Sequence, residues 1–135
     1  MRGGAGNMGR FLPGDQTKGD ANTIGGYMAV HNRPAAFEGS DGMSYSVEIV
    51  SDVGNDEEHP FGAYLLFVRW RANDPVAIGH LETDFLALGN NEEKVKAAVG
   101  KLKLNEVKMI LDKLIAAKKA ELLSWSEAMG QEGMV

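Results

Sequence analysis

The sequence predicts an α+β fold: a three-stranded antiparallel meander followed by one kinked or two consecutive helices, behind a glycine-rich N-terminal leader. Three observations carry this prediction. Apolar and polar residues alternate with period two from Ser44 onwards, as in a half-buried strand. The run Phe61-Gly-Ala-Tyr-Leu-Leu-Phe-Val-Arg-Trp70 is apolar on both parities, which suits a central strand covered on both faces. From Val95 the apolar period lengthens to that of a helix.

Residues 1–42 hold ten of the seventeen glycines and no sustained apolar period. Glycine loses the most chain entropy on ordering, so this leader is expected to be flexible unless docked. Within it, Met28-Ala-Val-His-Asn-Arg-Pro34 reads like a second start of translation.

The first strand is set by Tyr45, Val47, Ile49 and Val53 alternating with Ser46, Glu48 and Asp52. The acidic turn Gly54-Asn-Asp-Glu-Glu-His-Pro60 leads into the central strand. There Leu65 and Phe67 fall on one face, and Tyr64, Leu66 and Val68 on the other. Asn73-Asp74-Pro75 is a turn by its chemistry, and residues 76–88 read as a third strand with a bulge at Gly79.

Asn90 is expected to cap the first helix, with Glu93 at its third position and both Glu92 and Glu93 favouring the positive helix end. Val95, Ala98, Val99 and Leu102 form one apolar stripe, and Val107, Ile110, Leu111 and Leu114 a second. The five-residue step from Leu102 to Val107 rotates the apolar face by roughly 140°, so a kink or break is expected near residues 100–105. The domain is expected to span 43–128, with 129–135 as a tail. Helices on one side of the sheet leave its second face to the leader, to the C-terminal helix around Leu122 and Trp125, or to another copy of the chain.

Composition narrows the function classes. The 135 residues suit one domain. The chain has no cysteine, which removes disulfides, thiolate zinc sites and cysteine nucleophiles, and is compatible with a reducing compartment. A net charge of −5 argues against binding nucleic acid through bulk positive charge. No apolar run approaches the ~20 residues of a membrane span, and no secretory signal is visible, so the plain reading is cytoplasmic.

Gly4-Ala-Gly6-Asn-Met-Gly9 matches the dinucleotide fingerprint letter for letter, yet the strand before it and the helix after it are missing. No cofactor is therefore implied. His80, Glu82 and Asp84 alternate along the third strand about 6–7 Å apart, a spacing that can hold a divalent metal or place a general base beside carboxylates. A solvated polar face explains the same pattern. Lys94, Lys101 and Lys108 recur every seven residues and form one stripe on a continuous helix, a surface for an anionic partner or simply a solvated face. Arg69-Trp70-Arg71 offers cations and an aromatic, although a core tryptophan accounts for Trp70 equally well. None of the common hydrolase, P-loop or zinc-protease motifs is present, so the sequence favours a non-enzymatic role.

Phe61-Gly-Ala-Tyr64 and Leu88-Gly-Asn-Asn-Glu-Glu93, in the order of elements from Tyr45 to Leu114, resemble HicB-like antitoxin domains. That resemblance implies a β-β-β-α fold and a regulator linked to nucleic acid. The family's Pro-Asp-Leu-Pro-Gly turn is replaced here by Arg71-Ala-Asn-Asp-Pro75. His31-Asn-Arg-Pro-Ala-Ala-Phe-Glu-Gly-Ser-Asp-Gly42 is similar to a signature of bacterial proteins and implies no activity. A double-stranded-RNA-binding domain shares the β-β-β-α half but needs lysines where Glu92 and Glu93 stand.

Three functions are thus expected in order of preference. The first is a protein-protein interaction module or accessory subunit, docking a protein partner or self-associating. The second is a HicB-like regulator, and the third a small metal protein or enzyme using His80, Glu82 and Asp84.

Overall fold

In the computed structural model, the structure is described for residues 14–71 and 76–133, the last five as backbone only. The glycine motif at 4–9 and the turn residues 73–75 lie outside these. The protein is α+β, with helix α1 (Ile24–His31), strands β1 (Ala35–Glu38), β2 (Ser44–Val53), β3 (Phe61–Trp70), β4 (Ala77–Glu82) and β5 (Ala87–Gly89), and helices α2 (Glu92–Gly100) and α3 (Leu104–Gly133). A 3-10 turn at Gln16–Lys18 precedes α1.

The sheet is antiparallel in the order β1-β2-β3-β4, and β5 pairs with the start of β3 beyond the end of β4. It therefore has five strands rather than three: β1 comes from the stretch read as leader, and the expected third strand is divided into β4 and β5. Ala35 pairs with Val47 and Phe37 with Tyr45, so β1 continues the apolar side of β2. The segment 24–38 is ordered by local chemistry that its glycines obscure. Thr23 caps α1 by accepting from the Gly26 N–H at 3.0 Å, and Asn32 ends it in the left-handed conformation at φ 51.

The third strand is interrupted. Ala77 pairs with Trp70 and Gly79 with Arg69, which leaves Ile78 as the extra residue of a bulge. Beyond Glu82 the chain leaves the ladder, although Thr83 and Leu86 still donate to the Leu65 and Ala63 carbonyls at 3.0 and 2.8 Å. Phe85 from this connection lies over Gly62, where a Cβ would clash with the ring, and beside Tyr64 at 6.0 Å between centroids.

Asn91, not Asn90, caps α2, accepting from the Lys94 N–H at 3.0 Å. The junction 101–103 separates α2 from α3 because its backbone is bonded elsewhere. Ile24 N–H donates to the Leu102 carbonyl at 2.8 Å and Leu104 N–H to the Asn22 carbonyl at 2.9 Å, with Thr23 bridging Lys103. Glu106 then reaches back to the Lys103 N–H at 2.8 Å, half of a capping box that starts α3. At its far end α3 runs to Gly133, past the residue 128 boundary expected for the domain.

The core lies between one sheet face and the helices. Leu65, Phe67 and Val47 meet Val99, Val107 and Leu111 there, and Ile24 from α1 completes it at 0% exposure. Burying each such side chain stabilises by roughly 1.5–3 kcal/mol. The other parity of β3, Tyr64, Leu66, Val68 and Trp70, is only half-buried on the open face. Trp70 thus lies outside the core, with its indole N–H donating to the Ser46 hydroxyl at 2.9 Å.

Candidate functional site

The residues singled out from sequence are spread over the surface. His80 and Glu82 sit on β4 opposite Val68 and Leu66, so they flank the open face, and Asp84 follows two residues after the strand ends. All three are exposed. Among the described residues, no three histidine or carboxylate side chains form a group that could hold a metal. Lys94 lies in α2, Lys101 is its C-cap and Lys108 belongs to α3, so the break between the helices interrupts the seven-residue stripe. Lys108 is also committed locally, its ammonium bonding Asp112 at 2.7 Å.

What the fold builds instead is a groove of about 450 Å³ between β4 and the middle of α3. Tyr45, Leu81, Ile115, Leu122 and Leu123 give it an apolar lining. Arg69, Lys118, Lys119 and Asp41 supply the polar groups. Arg69 reaches this side because it shares the parity of Phe67, the helix-covered face of β3. Its Nε is sealed from solvent and has no hydrogen-bond partner.

A polar clamp stands in the lining of the groove. The Tyr45 hydroxyl donates to Asp41 Oδ2 at 2.7 Å, while Asp41 Oδ1 accepts from the Met43 N–H at 3.0 Å. Burial pushes the Tyr45 hydroxyl up to about 12 and the Asp41 carboxylate adds to this, against the opposing pull of the Arg69 guanidinium. Behind the clamp, Asp112 of α3 accepts from the Ser40 N–H at 2.9 Å and so ties the β1–β2 turn to the helix. The Lys108 ammonium, with help from that Ser40 bond, holds the Asp112 carboxyl below its usual range.

The sequence marks Arg69 only within the cation-aromatic run Arg69-Trp70-Arg71 and does not mark Lys118, for different reasons. Arg69 sits in an apolar run whose parity alone signals that it turns inward. Lys118 occupies the step between Ile115 and Leu122 in a 3-4 apolar spacing of α3, a signal legible only once β4 is known to lie alongside.

The fold and site define a small α+β protein with a one-sided sheet, a mixed apolar and cationic groove and no assembled catalytic cluster among the described residues. No family model matches the chain, and no curated protein or solved structure matches it. No helix among the described residues is long and apolar enough to cross a membrane.

Proposed function

We propose that the protein is a non-enzymatic interaction module that pairs with a second copy of itself through the open face of its sheet. The observation that carries this reading is the half-exposed apolar row Tyr64, Leu66, Val68 and Trp70, continued by Val50 on β2 and Phe85. Among the described residues no helix contributes to the core on that side, and exposed contiguous apolar area marks an interaction surface. Two sheets meeting on such faces pack about 10 Å apart and bury both rows.

The second half of α3 adds to the case. Every residue from 116 to 128 is exposed, including Trp125 at 61%. Light scattering across a concentration series tests the reading. The expected result is a dimer that Leu66→Lys converts to a folded monomer. A wild-type chain that stays monomeric up to millimolar concentration would overturn it.

A further inference from the structure

We infer that the groove between β4 and α3 is a binding site for a small carboxylate with an aliphatic or aromatic body. Its volume of about 450 Å³ is that of a small-molecule site, where an apolar lining holds the body of the ligand and a few polar groups orient it. The charge balance selects an anion. Arg69, Lys118 and Lys119 line the groove against one acid, Asp41, whose two oxygens already accept from Tyr45 and Met43. Neither lysine forms an ion pair among the described residues.

The second observation is the Arg69 guanidinium, which lines the groove from the helix-covered face of β3; a guanidinium is shaped to take a carboxylate on two nitrogens. Lys118 and Lys119, on the exposed stretch of α3, are placed to screen the same charge at the rim. Leu81, Leu122 and Leu123 then receive the hydrocarbon.

Decanoate and 1-decanol, equal in chain length and differing in the anion, form the probe pair, each used below its aggregation threshold. Backbone amide shifts are followed by NMR on the full chain. The expected result is saturable decanoate binding with shifts at residues 79–81 and 118–123, and about tenfold or more weaker binding of decanol. Arg69→Met should lower decanoate affinity by about the same factor while leaving decanol unchanged. Equal affinity for acid and alcohol would overturn the inference, and the wild-type comparison stands even if the variant fails to fold. Shifts confined to Tyr64, Leu66, Val68 and Trp70 of the open face, no saturation, or a dimer that shuts decanoate out would overturn it as well.

Discussion

Gly25 of α1 and Gly100 at the end of α2 touch backbone to backbone: a Cβ on Gly25 would lie 2.9 Å from the Cα of Gly100. Neither side can yield by turning a side chain. The two helices approach this closely only because both positions lack one.

Gly25→Ala sets two effects against each other. Alanine gains about 1 kcal/mol of helix propensity over glycine. Forcing a methyl group against rigid backbone costs about 1–3 kcal/mol in overpacking. The second should win, so Gly25→Ala is expected to lower stability in urea denaturation. A rise in stability would mean that α1 sits further from α2.

Ile24 tests whether the former leader belongs to the fold. It is fully buried among residues of the sheet and both later helices. Ile24→Ala should cost about 2–5 kcal/mol. A chain begun at Met28 loses Ile24 and the Thr23 cap together, and is expected to unfold at lower denaturant still. An unchanged midpoint would detach α1 from the core.

Tyr45 should ionise late. Its folded-state pKa of about 12 lies above the ordinary value of 10.0. A raised pKa contributes stability that is complete below pH 10 and is lost as pH climbs through 12. Ultraviolet tyrosinate titration should show a late component that Tyr45→Phe removes. A titration without that late component would contradict the clamp with Asp41.

Asp112 acts at the other end of the scale. Its lowered pKa contributes stability above the ordinary carboxylate value of 3.8, lost as pH falls through the folded-state value. Asp112→Asn should therefore cost little at neutral pH, no more than about 1 kcal/mol for a half-exposed pair. In acid the difference from wild type should vanish. Denaturation midpoints at the two pH values decide this, and a gap that widens in acid would refute it.

The legible and illegible parts of this fold divide by the kind of signal each residue carries. Tyr45 to Val53 and Phe61 to Trp70 show their parities in the amino acids themselves, because one face of each strand must be apolar. The step from Leu102 to Val107 announced a discontinuity in the same way. Residues 24–38 did not, since α1 contains Gly25 and Gly26 and owes its place to a contact with Gly100 that no local window contains. The groove was hidden for a related reason. Arg69 and Lys118 are 49 positions apart, and only the register of β4 beside α3 brings them to one cavity.

The backbone bonds that join Asn22 and Ile24 to Leu102 and Leu104 also order events in time. During synthesis α1 emerges early, but its backbone partners Leu102 and Leu104 appear only after nearly eighty further residues. Closing so long a loop is costly in chain entropy and is repaid only by contacts made at its end. The meander of β2, β3 and β4 joins near neighbours in sequence and can form first. Seating of Ile24 then becomes the closing step of folding, and until it occurs the core remains open on the side that α1 will cover.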